Sequence, residues 1–409
     1  MKEEYQRVYA QIDLDALIRN VQHIKTNMKQ GVKLICVIKT DAYGHGAVPV
    51  ARELEQLEEV SGYAVATAEE ALALRKAGVR KMILILGYTF PYSYKELIQE
   101  LIREDIRMAV FREDTLMQLA EAVRELEKEG IHKKAIVHVK VDTGMSRIGI
   151  TPDERGLSFV QKLLAVREIE AEGILTHFAR ADEENKAFTE KQFESFSSFI
   201  RLIEKDFIRL IEKETGHIFA IRHCDNSAGI IELPQDDLDA GRAGIILYGL
   251  WPSDVVSREI VELTPVLSLH SSIIYIKEIE KGTPVSYGGT FVADHTMKIA
   301  TIPVGYGDGY PRGLSGKGEV LIHGKRVRIL GRICMDQFMA DVSDIEDVKM
   351  GDEVILIGRD AGEEITMEEL GRLSGRFNYE LACCLSKRVP RVYTKEGKVR
   401  YIQDNYQDI

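Results

Sequence analysis

A (β/α)8 barrel followed by a mainly antiparallel β domain is the fold class this sequence predicts, on three observations. Short apolar runs alternate with longer amphipathic ones from Tyr9 to about Leu250, the pattern of strand-helix units on a parallel sheet. About eight such units fill about 250 residues, which suits a closed barrel better than a flavodoxin-like open sheet, the weaker alternative. After Leu250 the texture turns β-rich, with turn signals such as His323-Gly324 between the runs. The expected division is a barrel over 1–250 and a β domain over 251–409, meeting near Trp251-Pro252-Ser253, where a proline and small polar residues break the pattern.

Each element has its own justification. The expected strands of the first half are Val8–Ile12, Leu34–Ile38, Tyr63–Ala66, Met82–Leu86, Arg107–Phe111, Ile136–Val141, Glu170–Leu175, Ala220–Cys224 and Ala243–Tyr248, short apolar runs of the kind buried in parallel sheets. Helical periodicity is clearest in Leu14, Leu17, Val21, Ile24 and Met28, which share one face, with Asp13 as a cap. Glu69–Ala77, Tyr94–Arg103, Thr115–Glu129 and Lys191–Lys213 read as further helices, with Gly78 and Gly130 as stops. In the second half, Val266–Ile279, Met297–Val304, Glu319–Ile322, Arg326–Ile333 and Glu353–Ile357 read as strands.

Composition narrows the function classes. With 409 residues, 45% of them hydrophobic, the chain can build two substantial cores. A net charge of -11 offers no basic face, so neither nucleic acid nor an anionic membrane is an expected partner. Met1–Ala10 lacks the apolar core of a signal peptide, and no stretch approaches the roughly 20 apolar residues that span a bilayer. The odd set Cys36, Cys224, Cys334, Cys383 and Cys384 has no paired metal spacing. It suits a cytoplasmic protein with no disulfide framework and no metal site.

The chemistry is expected where a parallel barrel gathers functional groups, at the carboxyl ends of its strands. Lys39 emerges directly after the apolar run Leu34–Ile38. A partly desolvated ammonium loses its proton more easily, and the free amine can attack a carbonyl to form a Schiff base. The ordinary alternative is a solvated lysine at a strand end. On the same rim the spacing puts Tyr43, Asp142-Thr143-Gly144-Met145-Ser146-Arg147, Thr176-His177-Phe178, Asp225-Asn226-Ser227-Ala228-Gly229 and, just before the last expected strand, Gly241-Arg242-Ala243-Gly244-Ile245. Small hydroxyl-bearing residues with free backbone amides could hold a phosphate, above all if a helix starts at Ser227. A Schiff-base lysine, an anion cradle and a strong cation on one rim are what pyridoxal phosphate requires. Arg242 keeps its proton near neutral pH, so it would donate to the pyridine nitrogen without protonating it and leave the ring a weaker electron sink.

Five stretches together, spread over nearly the whole chain, resemble the alanine racemases. They are Val37-Ile38-Lys39-Thr40-Asp41-Ala42-Tyr43-Gly44-His45-Gly46, Lys140-Val141-Asp142-Thr143-Gly144-Met145-Ser146-Arg147, Val285-Ser286-Tyr287-Gly288, Gly305-Tyr306-Gly307-Asp308-Gly309-Tyr310 and Gly331-Arg332-Ile333-Cys334-Met335-Asp336-Gln337. The resemblance implies racemisation of L- and D-alanine on pyridoxal 5'-phosphate, with Lys39 carrying the cofactor and acting as one base and Tyr287 as the other. It implies that Tyr43, Asn226, Ser227, Gly244 and Ile245 surround the phosphate and that Arg242 faces the pyridine nitrogen. Arg147 would support the cofactor and the substrate carboxylate, His177 would polarise Tyr287, Met335 and Asp336 would line the substrate pocket, and Tyr306 would narrow its entrance. Lys140 matches a lysine that some relatives carbamylate. A homodimer with shared active sites and a supply of D-alanine for peptidoglycan are implied as well.

Two bases make physical sense, because inverting a stereocentre needs a proton taken from one face and another returned to the opposite face. Near the carboxyl end, the resemblance places Lys387, in Cys383-Cys384-Leu385-Ser386-Lys387-Arg388-Val389-Pro390-Arg391, where some relatives set a tyrosine beside the phosphate. A lysine cannot wall a pocket as a ring does, which leaves a serine or broad-specificity racemase as the first alternative. A barrel-type amino-acid decarboxylase ranks lower, since those enzymes set a carboxylate at the pyridine nitrogen. A non-enzymatic cofactor carrier ranks lower again, since such proteins lack the β domain that contains Tyr287.

Overall fold

The structure, a computed structural model, describes residues 7–89, 95–207 and 218–406. Eight parallel strands form the barrel: with β1 (Val8–Asp13) set aside, they are β2 (Lys33–Val37), β3 (Val60–Val65), β4 (Met82–Ile85), β5 (Ile106–Val110), β6 (Ala135–Lys140), β7 (Ile169–Leu175), β8 (Ile221–His223) and β9 (Ala240–Ala243). Each pairs with its neighbour in chain order up to β8, and β9 returns to β2, from Lys33 opposite Ala240 to Cys36 opposite Ala243. Asp239 N donates to Arg222 O at 2.9 Å and Arg242 N to Asp225 O at 3.1 Å, which ties β8 to β9. Their side chains are buried almost without alternation, as strands covered on both faces must be.

The helices follow the expected periodicity. Leu14–Asn27 buries Leu14, Leu17, Val21 and Ile24, and the Asp13 carboxylate accepts from Asp15 N and Ala16 N as its cap. Ala68–Lys76 opens with a reciprocal box between Thr67 and Glu70. Lys95–Arg103, Glu113–Lys128 and Ala187–Asp206 occupy the other expected segments. The expected residues Tyr94 and 208–213 lie outside the described ones. No helix among the described residues is long and apolar enough to cross a membrane.

Two expected barrel strands are corrected. Val8–Ile12 is no barrel strand: β1 alternates buried Val8, Ala10 and Ile12 with half-exposed Tyr9, Gln11 and Asp13, the pattern of a sheet covered unevenly on its two faces. Ala243–Tyr248 is no strand either; the last barrel strand is β9, Arg242 lies within it, and Ile245–Tyr248 is a buried 3-10 turn. A short apolar run cannot by itself distinguish a buried strand from a buried turn.

The second half is β10 (Leu267–Ser272), β11 (Tyr275–Ile279), β12 (Pro284–Val285), β13 (Phe291–Val292), β14 (Met297–Ile302), β15 (Glu319–Ile322), β16 (Lys325–Leu330), β17 (Phe338–Asp341), β18 (Glu353–Asp360), β19 (Glu363–Ile365), β20 (Arg391–Lys395) and β21 (Lys398–Gln403). The expected strand Val266–Ile279 is therefore two. In the main sheet the order runs β11-β14-β17-β16-β15-β18-β10-β1-β20-β21, antiparallel except where β1 meets β20. His323 and Gly324 both have positive φ, 50° and 72°, which suits the two-residue β15–β16 hairpin. The helices Met367–Ser374 and Asn378–Cys384 bring this domain against the barrel rim.

That contact falls on the turn after Lys39. Thr40, Asp41, Ala42 and Tyr43 are left-handed, with φ between 52° and 54°. The turn is braced from both domains. Thr40 N donates to Glu70 Oε1 at 2.6 Å and Ala47 N to Asp41 Oδ1 at 2.7 Å, while Arg391 Nε donates to Gly44 O at 3.1 Å and Tyr393 OH to His45 O at 2.9 Å. Gly44 has φ 81°, and a Cβ there would lie 2.1 Å from Ala382 O. Gly44→Ala should therefore lower stability by at least about 2 kcal/mol. Urea unfolding with a midpoint unchanged from wild type would contradict this.

Candidate active site

One cavity of about 840 Å³ opens at the carboxyl ends of the barrel strands, and it gathers ten of the residues singled out above. Lys39 and Tyr43 come from the left-handed turn after β2, Lys140 ends β6, and Arg147 sits in the loop beyond it. His177 follows β7, Asn226 and Ser227 start the helix Ser227–Glu232 after β8, and Arg242, Gly244 and Ile245 lie at the end of β9. Tyr287, Met335 and Asp336 line a different cavity, of about 630 Å³, which shares no lining residue with the first. Tyr287 is 70% exposed. Tyr306 is also exposed, and its turn is tied to the Met335 loop by Gly307 N donating to Met335 O at 2.8 Å. Within one chain, then, the two candidate bases are not brought together.

The cavity is rich in positive charge and poor in counter-charge. Burial, then the Arg147 charge, lowers the Lys39 ammonium below the usual lysine range. Lys140 is pushed down to about 8 by burial and by Arg242, and its Nζ donates to Val141 O at 2.6 Å. Burial lowers the buried Arg242 to about 10, which still leaves it charged near neutral pH. Its guanidinium is held from several sides: Nη2 donates to Thr176 O at 2.8 Å and Cys224 O at 2.9 Å, and lies 3.2 Å from His177 Nδ1. Burial and the Arg242 charge keep His177 far below the ordinary histidine range, so the ring is neutral. Because the guanidinium can only donate, His177 Nδ1 accepts and its proton sits on Nε2.

In the same cavity the Tyr43 hydroxyl, the Ser227 hydroxyl and Gly244 converge. Gly244 N donates to Ser227 Oγ at 2.9 Å, and a Cβ on Gly244 would lie 2.9 Å from the Tyr43 hydroxyl oxygen. Asn226 caps the short helix by accepting from Gly229 N at 3.1 Å. A desolvated amine, a hydroxyl-lined space that any side chain at 244 would fill, and a buried arginine in the same cavity fit pyridoxal phosphate.

Lys387 is exposed and does not line the cavity; the wall is built by Tyr379 and Phe377, with Cys383 beside them. Tyr379 stacks on Phe377 at 4.5 Å and lies 6.0 Å from the Tyr43 ring. Tyr379 lies eight positions before Lys387, in the helix Asn378–Cys384. Sequence reasoning also passed over His138 and His223, fully buried near Arg242. A signal for His138 was present: it lies two positions before Lys140 in an otherwise apolar strand, so both point the same way. No comparable pattern marks Tyr379.

Residues 12–252 match the alanine racemase N-terminal domain family, and residues 266–393 match the alanine racemase C-terminal domain family. An alanine racemase of Desulforamulus reducens is 42% identical over 386 residues, covering 94% of this chain and 98% of that protein. One from Clostridium tetani is 43% identical, covering 96% of each. Among solved structures, the alanine racemase of Clostridium difficile 630 is 39% identical with a TM-score of 0.88, covering 97% of this chain and 98% of that one. The alanine racemase of Bacillus anthracis with bound L-Ala-P is 36% identical with a TM-score of 0.86, covering 99% of both chains. On this identity, carried across both domains, the chain belongs to the alanine racemase family and is an isomerase acting on alanine.

Proposed function

We propose that the chain interconverts L- and D-alanine by a two-base mechanism on pyridoxal 5'-phosphate, within a homodimer whose active sites draw on both subunits. The single observation that carries this reading is the desolvated Lys39 sharing one cavity with the Tyr43, Ser227 and Gly244 cradle and with Arg242. Tyr43, Asn226, Ser227, Gly244 and Ile245 would hold the phosphate, and Lys39 would carry the cofactor. When bound, the cofactor supplies an electron-withdrawing ring that acidifies the substrate α-proton. Arg242 would donate to the ring nitrogen without giving up its proton, which would favour rapid return of the α-proton over side reactions. Arg147, on the cavity rim, would hold the substrate carboxylate.

Lys39 Nζ takes or returns the proton on one face. The Tyr287 phenol, exposed and apart from its own chain's Lys39, does so on the other face from the second subunit. Neutral His177, which receives a hydrogen bond from Arg242, can present its Nε2 proton to that phenol oxygen and favour the phenolate. Met335 and Asp336 line the substrate side of the same second-subunit cavity, Asp336 held by Arg388 Nη2 at 2.8 Å, and Tyr306 narrows the entrance. The product D-alanine would serve peptidoglycan assembly from the cytoplasm.

Lys39→Ala should lose racemisation and the yellow chromophore that borohydride traps on that lysine. A variant that keeps both would end the assignment. Tyr287→Phe should slow α-proton exchange with solvent on the order of 10²–10⁴-fold from one enantiomer, with less effect from the other. Equal deuterium incorporation from both, at wild-type rates, would remove the tyrosine from the mechanism. Mixing the two inactive variants should restore part of the activity, because a mixed dimer has one intact site, and activity should fall on dilution to monomers. No recovery from a mixture shown to exchange subunits would argue against shared sites. Finally, Lys140 would be carbamylated as its neutral amine attacks carbon dioxide and releases a proton. With an amine at about 8, intact-mass occupancy in bicarbonate should rise between about pH 7 and 9, and a flat profile would count against it.

A further inference from the structure

A run of polar side chains inside the barrel is left without a role by the reaction. His223 Nδ1 lies 2.9 Å from Arg242 Nη1, His223 Nε2 lies 2.9 Å from His138 Nδ1, and His138 Nε2 lies 3.0 Å from Glu172 Oε2. Arg107 closes the run, its Nε and Nη2 donating to the two Glu172 oxygens at 3.1 and 3.0 Å. The fold makes specific room for it. A Cβ at Gly173 would lie 2.5 Å from His138 Nδ1, so only glycine admits the imidazole there. Glu172 is the extra residue where the β6–β7 register shifts, with Val137 opposite Ala171 and His138 opposite Gly173. A bulge of this kind re-aims a side chain.

Donor and acceptor types leave one arrangement of protons. A guanidinium only donates, so His223 Nδ1 accepts; a carboxylate only accepts, so His138 Nε2 carries its proton and His138 Nδ1 is bare. The His223 Nε2 proton then fills the gap between the rings. Burial, with Arg242 next, holds His223 far below its ordinary value, and burial lowers His138 too, so both rings are neutral. Burial alone would raise Glu172, but hydrogen bonds from His138 and Arg107 bring it down to about 2, so it is a carboxylate.

We infer that Glu172 and His138 are positioning residues for racemisation: by fixing one tautomer on each imidazole they keep a lone pair of His223 against Arg242 Nη1 and so orient the guanidinium. This rests on the reading that Arg242 serves the cofactor's ring nitrogen. The arrangement has a chemical advantage. The run's carboxylate, already paired with Arg107, stands two imidazoles away from Arg242, so a neutral ring and not an anion meets the guanidinium.

Nitrogen NMR of holoenzyme labelled at histidine should find His138 and His223 each protonated at Nε2 and bare at Nδ1. Glu172→Leu should mix the tautomers and lower kcat about tenfold, with KM for alanine within about twofold of wild type. Glu172→Gln, whose amide oxygen still accepts from His138, should keep the tautomers and recover most of kcat, which a loss of packing alone would not predict. A proton on Nδ1 of His223 in the wild type would overturn the inference, and that measurement needs no variant to fold. So would Glu172→Leu with wild-type tautomers or kcat. Arg242→Gln separates the two levels. If it leaves kcat unchanged, the role of Arg242 fails and this inference with it; if it impairs kcat while wild-type tautomers are mixed, only the inference fails.

Discussion

Four consecutive non-glycine residues in the left-handed region set the terms for the rest of the molecule. Each costs about 1–2 kcal/mol relative to right-handed backbone, so a free peptide would not hold the turn. It persists because both of its sides are gripped. Glu70, itself part of a helix cap, accepts from Thr40 N, while Arg391 and Tyr393 reach across from the β domain to the carbonyls of Gly44 and His45. The short reverse turn keeps Lys39 and Tyr43 in the same cavity within five residues. The β domain therefore shapes the barrel's reactive rim even before any residue from a second chain is considered.

A second theme is the management of charge. The cavity collects Lys39, Lys140, Arg147 and Arg242, and their mutual repulsion adds to burial in keeping the lysines nearer to their neutral forms. The histidines beside them give up charge altogether and serve as directed dipoles. Arg242 is held in place as a cation by two carbonyls and two neutral imidazoles. A site organised in this way has amines that can exchange protons and one fixed donor that does not.

Much of this was legible in the sequence, and the omissions have physical reasons. The barrel was readable because doubly covered strands are apolar throughout and their helices are amphipathic, a contrast that survives without any alignment. The residues on its rim were readable because strand ends are easy to find, and ten of them do line one cavity. Val8–Ile12 misled because β1 pairs with β10 and β20, partners more than 250 residues away that no local pattern announces. Tyr379 was missed for a similar reason: its helix has only seven residues and faces the barrel through tertiary packing. The histidine run was hidden because its order, β9 to β8 to β6 to β7, does not follow the chain.

The placement of β1 also bears on how the molecule is made. The strand that precedes the barrel lies between β10 and β20, which follow it, so the barrel is effectively an insertion within a sheet whose seam joins segments from either side of it. During synthesis on the ribosome, the barrel's eight strands have all emerged while that seam is still open. The grip of Arg391 and Tyr393 on the reverse turn arrives later still, with β20. A nascent chain would thus complete a scaffold first and acquire its reactive geometry only once β20 has followed the barrel out, which delays competence for chemistry beyond completion of the barrel.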